Sequence, residues 1–131
     1  MENSVNDLII RIKNGYMARK VTILSPHSGF REEVLKKLTE LKFIKGYKID
    51  KIIKDQFKEI TIELLYDKGQ PAMTDVKIFS KPGSRYYVSY RDLKPVLSGY
   101  GFSIISSSFG IVTDKEAKTK KLGGELLFNI W

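Results

Sequence analysis

Residues 102–131 read FSIISSSFGIVTDKEAKTKKLGGELLFNIW and contain several structural signals in close succession. Two apolar runs, Phe102–Ile105 and Ile111–Val112, flank the segment Ser106–Gly110. Short runs rich in β-branched and aromatic residues, bounded by Ser and Gly, are typical of strands joined by a turn. The pattern therefore predicts two short strands with the serines between them.

The residues that follow predict a short helix and a last strand. Thr113 and Glu116 have the spacing of a capping box, in which the two residues satisfy each other's backbone N–H groups at a helix start. Gly123 and Gly124 are predicted to end this helix, because glycine is common where helices stop. Leu126–Trp131 is then predicted to form the final strand.

Upstream of this stretch, the second half of the chain predicts two further strands and one helix. The strands are Thr74–Phe79 and the aromatic run Tyr86–Tyr90, separated by the turn Lys81–Ser84. Asp92–Ser98 is predicted to be a short helix closed by Gly99. The predicted order of the second half is ββαββαβ.

The first half of the chain begins with an amphipathic helix. Its apolar residues share one face, while Asp7, Arg11 and Asn14 fall on the opposite face. The apolar residues are Val5, Leu8, Ile9, Ile12 and Tyr16. The remaining predicted elements are a strand at Lys20–Leu24, a helix capped by Ser28, and two strands, Tyr47–Ile53 and Phe57–Leu65, joined by Lys54–Gln56. The predicted order is αβαββ.

Asp67–Pro71 contains the strongest turn and loop signals in the interior of the chain, and it therefore predicts a domain boundary. The predicted domains are residues 1–66 and residues 72–131. Strands and helices are mixed without regular βαβ repeats, so the predicted fold class is α+β. We expect two small α/β domains, each a short, mostly antiparallel sheet with packed helices.

The composition excludes several functional classes. The chain has 131 residues, of which 42% are hydrophobic, enough for a substantial core. Cysteine is absent, which excludes disulfides and thiol catalysis, and the single His27 cannot build a zinc site alone. No signal-peptide pattern and no run of about 18 apolar residues occurs, so no membrane partner is expected. No dinucleotide or phosphate-loop motif occurs, so no cofactor is expected.

The charge of the chain points to a polyanionic partner. The formal net charge is +8, and each side of Leu64 carries +4. An excess spread over a folded body suits a surface laid against nucleic acid, because neutralised phosphates release counterions. The alternative from charge alone is a basic protein with a solvated lysine surface.

Two other functional classes remain open from the residues alone. A metal-dependent nuclease would use Asp114, Glu116 and Glu125, although the first two are explained equally well by a capped helix. A protein–protein adapter would expose Tyr86, Tyr87 and Tyr90. The nuclease requires its carboxylates to converge on an open site, and the adapter requires its tyrosines to be accessible.

Two segments favour RNA over these alternatives. The hydroxyls of Ser106, Ser107 and Ser108 both donate and accept hydrogen bonds, so a rigid turn of serines can interact with 2′-hydroxyls, phosphates and base edges. Lys81–Tyr87 combines cations with tyrosines that can stack on unpaired bases. The simpler interpretations are a plain hairpin loop and a turn before a half-buried strand. RNA is favoured over DNA because no helix–turn–helix, basic zipper or zinc finger is present.

The same segments carry a family resemblance. The sequences SSSFGIVTDKEA at residues 106–117 and LGGE at residues 122–125 resemble the C-terminal signature of the small-subunit ribosomal protein eight family. Lys81–Tyr86 resembles its R-P-G-x-R-x segment, and Leu8–Gly15 resembles its first helix. Ser25-Pro26, followed by the helix leading to Phe43-Ile44, is also in register. The resemblance covers essentially the whole chain.

The resemblance implies a structural protein of the small ribosomal subunit with no catalytic, metal or cofactor site. Members fold as two small α/β domains, bind an irregular helix in the central domain of the small-subunit ribosomal RNA and help to assemble the platform. Neighbouring proteins, notably the fifth and twelfth of the small subunit, are implied partners, as is the messenger of the protein's own operon. The implied location is the ribosome, in a bacterial cytoplasm or in a mitochondrial or plastid matrix.

The resemblance also implies which residues contact RNA: three segments and one acidic position. The serine-rich turn would carry the sequence-specific contact, a second segment would follow the Lys81 turn, and the first helix would contact the RNA backbone. The implied RNA-contacting residues are Ser106, Ser107, Ser108, Phe109, Gly110, Lys81, Arg85, Tyr86, Arg11, Asn14 and Glu125.

Four positions depart from the family pattern. The usual turn is Ser-Thr-Ser-Lys-Gly, but here Ser107 replaces Thr and Phe109 replaces Lys. The lost lysine removes a phosphate contact, while Phe109 either stacks on a base or packs on the protein. Lys81 replaces the usual Arg and loses its bidentate fork. Phe128 replaces the usual Cys and is predicted to be a core residue.

Overall fold

The computed structural model describes residues 4–51 and 58–131. The chain forms two compact units. An N-terminal unit comprises Asp7–Met73, and a C-terminal unit comprises Thr74–Trp131 with the described residues that precede Asp7. Both units combine helices with antiparallel sheets, so the predicted α+β class is confirmed. Among the described residues, no helix is long and apolar enough to span a bilayer.

The N-terminal unit contains two helices and a three-stranded antiparallel sheet in the order β1-β3-β2. The helices are α1 (Ser4–Met17) and α2 (Gly29–Glu40), and the strands are β1 (Thr22–Pro26), β2 (Gly46–Lys51) and β3 (Lys58–Glu63). A short hairpin follows, formed by β4 (Tyr66–Asp67) and β5 (Gln70–Pro71). The predicted turn Lys54–Gln56, with the strand ends that adjoin it, lies outside the described residues.

The sequence pattern accounts for these elements. All five apolar residues of the predicted α1 stripe are buried, while Arg11 and Asn14 are exposed on the other face. Ser28 caps α2 as predicted, because its hydroxyl accepts a hydrogen bond from the backbone N–H of Arg31 at 3.1 Å. Alternation along β3 buries Ile60 and Ile62. The periodicity of the sequence thus identifies the buried faces.

The C-terminal unit is built around one antiparallel sheet of strands β6, β10, β8 and β9 in that order, with β7 also paired to β10. The strands are β6 (Val76–Ile78), β7 (Tyr87–Val88), β8 (Phe102–Ser107), β9 (Gly110–Thr113) and β10 (Gly124–Ile130). Helix α3 (Asp114–Lys120) follows β9 directly. One face of the sheet buries a cluster of Leu93, Ile105, Val112, Ala117 and Leu126.

The start of α3 confirms the predicted capping box, and its end differs from the prediction. The Thr113 hydroxyl accepts from the Glu116 N–H at 3.2 Å, and the Glu116 carboxylate accepts from the Thr113 N–H at 3.0 Å. The helix ends at Lys121, which adopts a left-handed φ of 57°. Gly124 instead opens strand β10.

The predicted helix over Asp92–Ser98 is wrong. Two short 3₁₀ segments, Tyr90–Asp92 and Val96–Gly99, stand in its place. Pro95 has no N–H to donate and disfavours a helical conformation at Lys94, so a helix cannot run through this point. Leu97 and Ser98 adopt left-handed φ values of 46° and 54°, which reverses the chain before β8.

Candidate nucleic-acid interface

The serine-rich turn joins β8 to β9 and is stabilised by one of its own side chains. Ser107 pairs with Gly110 across the hairpin. The Ser107 hydroxyl donates to the carbonyl of Gly110 at 2.8 Å and accepts from the backbone N–H of Phe109 at 3.2 Å. Gly110 has a φ of 109°, a conformation that favours glycine. The turn is therefore fixed from within, and Ser107 serves as a brace.

The tip of the turn projects into solvent. Ser108 is exposed, and 79% of the Phe109 side chain is accessible. Of the two interpretations of Phe109, packing on the protein is thus excluded, and stacking on a base stays a prediction. Phe128, by contrast, is fully buried in β10, which confirms its predicted core position.

Three strands bring further polar residues to the base of the turn. Glu125 of β10 pairs with Ser106 of β8 on one side and with Tyr87 of β7 on the other. Directly paired residues of neighbouring strands lie on the same face of a sheet. Arg85 reaches the same place, since its guanidinium lies 3.4 Å from the Glu125 carboxylate. We call this group of residues the serine-turn surface; it comprises Ser106–Gly110, Arg85, Tyr87 and Glu125.

Strands β8 and β10 approach each other closely at Gly124. A Cβ atom at Gly124 would clash with the carbonyl oxygen of Ser106 and lie 3.1 Å from the Cα of Ser107. Those neighbours are backbone atoms and cannot move aside easily. Any side chain at this position would therefore displace the serines of the turn.

The structure separates two neighbouring tyrosines. Tyr87 shares the row of Glu125 and Ser106, and 70% of it is exposed. Tyr86 directly precedes β7 and points to the opposite face, where its ring packs against Phe79 with the ring centroids 5.3 Å apart. The assignment from the sequence selected Tyr86 and omitted Tyr87. Strict alternation from Arg85 would have placed Tyr87, and not Tyr86, on the arginine's side of the strand.

Lys81 lies in a tight and exposed turn. Its backbone N–H donates to the carbonyl of Ser84 at 3.1 Å, and the N–H of Ser84 donates back at 2.9 Å. The buried Ser80 anchors the base of this turn, because its hydroxyl accepts from the N–H of Tyr86 at 2.9 Å. The cation of Lys81 is thus presented to solvent from a fixed backbone.

Arg11 and Asn14 lie on the exposed face of α1 in the N-terminal unit. The Arg11 guanidinium donates to the Asp7 carboxylate at 2.8 Å and to the carbonyl of Leu24 at 3.2 Å. The nearly buried Arg31 lies 3.0 Å from the same carboxylate. Burial would raise the pKa of Asp7, but hydrogen bonds from Arg11 and Arg31 outweigh it and hold that pKa below its ordinary value. Arg11 is therefore held in one place by an ionised partner.

Comparison with known proteins identifies the family of the chain. The family model for ribosomal protein S8 matches residues 3–131. The chain belongs to the ribosomal protein S8 family. It is 38% identical to a protein named small ribosomal subunit protein uS8 from Mycoplasmopsis synoviae, over all of this chain and 98% of that protein. A protein of the same name from Dictyoglomus thermophilum is 39% identical over 97% of this chain and 95% of that protein.

Membership of the S8 family makes this chain a ribosomal protein and not an enzyme. The structure also shows the surroundings of the three carboxylates considered for a nuclease. Asp114 is buried and accepts from the backbone N–H of Ser103 at 3.2 Å, Glu116 caps α3, and Glu125 faces Arg85. Within residues 4–51 and 58–131, no group of three His, Asp or Glu side chains could hold a metal ion.

The adapter alternative requires three accessible tyrosines, and the structure shows how exposed each of them is. Tyr87 is largely exposed and Tyr86 is 46% exposed, whereas Tyr90 is half-buried against the core of the C-terminal unit. The three tyrosines therefore do not form one shared exposed patch. The two that are accessible are neighbours in the chain, and their side chains point to opposite faces.

Proposed function

We propose that this S8-family protein binds an irregular helix in the central domain of the small-subunit ribosomal RNA through its serine-turn surface. The observation that carries the proposal is the pairing of Ser106, Glu125 and Tyr87 in one row beneath a turn that Ser107 braces. A surface fixed before binding loses little conformational freedom when a ligand arrives. It can therefore discriminate between RNA shapes.

The chemistry of this surface suits an irregular RNA helix better than a regular one. Regular A-form helices expose mainly phosphates and 2′-hydroxyls, while bulges and internal loops expose base edges and faces. Ser106 and Ser108 supply hydroxyls that both donate and accept. Tyr87 and Phe109 supply exposed aromatic faces on which an unstacked base can stack.

Glu125 is the one anion of the serine-turn surface, and its position gives it two roles. Its carboxylate orients the Arg85 guanidinium, which can then bind a phosphate or stack on a base. The carboxylate also accepts hydrogen bonds from base amino groups or 2′-hydroxyls and repels misplaced phosphates. The Glu125 carboxylate thus favours the register of the RNA in which hydrogen-bond donors face it over registers in which a phosphate would face it.

Two cations and a neutral amide outside the serine-turn surface supply contacts that depend less on the RNA sequence. Lys81 stands on its exposed turn, and Arg11 with Asn14 stands on the exposed face of α1. Such groups position a protein on the RNA backbone, while contacts to bases provide specificity. We assign these residues to backbone binding.

The proposal extends to the assembly in which the protein works. By binding its RNA helix, the chain helps to assemble the platform of the small subunit and contacts neighbouring proteins, notably the fifth and twelfth. The messenger of its own operon is a second RNA target. The relatives compared above come from bacteria, which favours a ribosome in a bacterial cytoplasm over the organellar alternative.

A binding titration with two RNAs at two salt concentrations tests this proposal. One RNA is the central-domain helix with its irregular internal loop, and the other is the same helix made fully regular. We expect the irregular helix to bind more tightly at both salt concentrations. If about five phosphates are neutralised, a fourfold rise in salt weakens binding a few hundredfold. Equal affinities for the two RNAs would reject specific recognition and leave only charge attraction.

A further inference from the structure

A cavity of about 590 Å³ opens on the face of the C-terminal sheet that is opposite to the serine-turn surface. Leu126 lines it, whereas its chain neighbour Glu125 belongs to the serine-turn surface. Adjacent strand residues point to opposite faces, so the two sites are separate. A volume of this size lies within the range of about 300–1,000 Å³ typical of small-molecule sites.

The floor of the cavity is polar and rigid. Ser103 and Asn129 are directly paired, and the nearly buried Ser103 hydroxyl donates to the Asn129 side-chain oxygen at 2.7 Å. Among the described residues, the amide nitrogen of Asn129 has no hydrogen-bond partner. Every side-chain N or O atom that is fully buried in the described structure does have a partner. That nitrogen is therefore accessible, and it offers two N–H donors to an incoming acceptor.

A β-bulge brings these groups together with the apolar part of the cavity. The register of β10 against β8 shifts between Leu126 and Phe128. Because of this extra residue, Asn129 and Leu126 lie on the same face although they are three positions apart. Phe79 and Tyr86, whose rings contact each other, form the aromatic wall beside them.

The rim of the cavity carries cations on the 3₁₀ segment and the residues after it. Arg91 lies against Tyr90, with its Nε donating to the Tyr90 hydroxyl at 3.2 Å. The Arg91 guanidinium carbon also lies 5.6 Å from the centroid of the Tyr90 ring. Arg91 and Lys94 both line the cavity and are exposed, and Asp92 lies between them in the sequence. Lys77 lies 5.2 Å from the ring centroid of Phe79. Three cations and one anion thus surround the opening and its aromatic wall.

We propose that this cavity binds a nucleotide, with the base inside and the phosphate at the rim. The base lies against Phe79 and Tyr86 and accepts hydrogen bonds from the amide of Asn129, and the phosphate binds Arg91 and Lys94. The ligand is either a free mononucleotide or an unstacked nucleotide of an RNA strand, since the two share this chemistry. The site does not depend on the proposed contact with ribosomal RNA, because the serine-turn surface lies on the other face.

The test is an NMR titration of the ¹⁵N-labelled full chain with adenosine monophosphate, adenosine, inorganic phosphate and an unstructured RNA tetranucleotide. Adenosine monophosphate is expected to shift the side-chain amide resonances of Asn129 and the backbone resonances of residues 91–94. If the tetranucleotide binds more tightly than the mononucleotide, the ligand is a nucleotide of an RNA strand. If it binds more weakly, the ligand is a free nucleotide. Both results support the site.

Matched variants separate this site from general charge attraction. The double substitution Arg91→Ala and Lys94→Ala is expected to weaken adenosine monophosphate about tenfold and leave adenosine unchanged, because only the former carries a phosphate. The control, Lys118→Ala with Lys120→Ala, removes the same charge from exposed positions of α3 and is expected to change neither. Asn129→Asp keeps the oxygen that Ser103 requires but loses the donors, and is expected to weaken both ligands.

Three results would overturn the proposal. Unshifted Asn129 amide resonances at millimolar adenosine monophosphate would mean that no base enters the cavity. Reproduction of every shift by inorganic phosphate would reduce the site to an anion contact. Equal weakening of binding by the control variant and the rim variant would mean that net charge alone is responsible. The rim residues are exposed, so this comparison holds even if Asn129→Asp fails to fold.

Discussion

The serine-turn surface of the C-terminal unit and the Arg11 face of the N-terminal unit present RNA with different chemistry. The first consists mainly of hydroxyls and aromatic rings on paired strands, with an ion pair between Arg85 and Glu125. The second consists of a guanidinium held against an ionised carboxylate on one exposed helix face. Neutral groups on a rigid frame discriminate between RNA structures, whereas a cation held in place mainly attracts the RNA backbone and positions the protein on it. The proposed division of labour follows from this difference.

Substitution of Gly124 by Ala should have the largest effect, because it breaks the frame of the serine-turn surface. The new Cβ collides with the backbone of Ser106 and Ser107, so β10 must move away from β8. Overpacking of this kind costs about 2 kcal/mol in the free energy of unfolding. Urea unfolding measures that loss, and preference for the irregular RNA helix should disappear with it. Gly29→Ala is the control, since nothing lies within 4 Å of its new Cβ.

Substitution of the two tyrosines sharpens the distinction between the faces of β7. Tyr87→Ala removes an exposed stacking platform, and base–aromatic stacking is worth about 1–3 kcal/mol. It should weaken the irregular helix at least about fivefold and leave the thermal unfolding temperature nearly unchanged. Tyr86→Ala removes packing against Phe79 and should lower that temperature with a smaller effect on RNA. The reverse result would return the RNA contact to Tyr86.

Substitution of Ser107 and of Lys81 compares discrimination with attraction directly. Ser107→Ala deletes two hydrogen bonds that brace the turn, so it should cost about 1 kcal/mol and act mainly on the irregular helix. Lys81→Ala should weaken regular and irregular helices equally and reduce the salt dependence of binding by about one phosphate. Titrations with both RNAs at two salt concentrations distinguish the variants. Equal losses for Ser107→Ala on both RNAs would contradict the role of the turn in specificity.

Substitution of Asp7 by Asn tests the Arg11 face and should have the smallest effect. The pKa of Asp7 lies below its ordinary value of 3.8, so its ionised form stabilises the fold above that pH and this stabilisation is lost as the pH falls through the lowered pKa. Asp7 is partly exposed, and solvent screening limits the contribution to about 0.5 kcal/mol. Thermal unfolding should show a larger difference between the variant and the parent at pH 7 than at pH 2. A difference that is unchanged at pH 2 would exclude the ion pair as its cause.

Much of the local structure could be predicted because it depends on residues close together in the chain. The apolar stripe of α1, the capping box of Thr113 and Glu116, and the strands beside the serine turn all follow from short-range spacing. The predicted helix over Asp92–Ser98 is wrong because Pro95 lies within that segment and prevents a continuous helix. The family resemblance came from the same contiguous residues and was confirmed.

The amino-acid sequence by itself determined the α+β class, the S8 family and the turn that carries the candidate RNA contact. Only the tertiary structure decided that Tyr87 and not Tyr86 joins Glu125, that Ser107 is a brace, and that Gly124 must lack a side chain. It also placed Asn129 beside Leu126 over a separate cavity. The physical reason is that strand register and bulges join residues far apart in the chain. A shift of one residue turns each side chain to the opposite face.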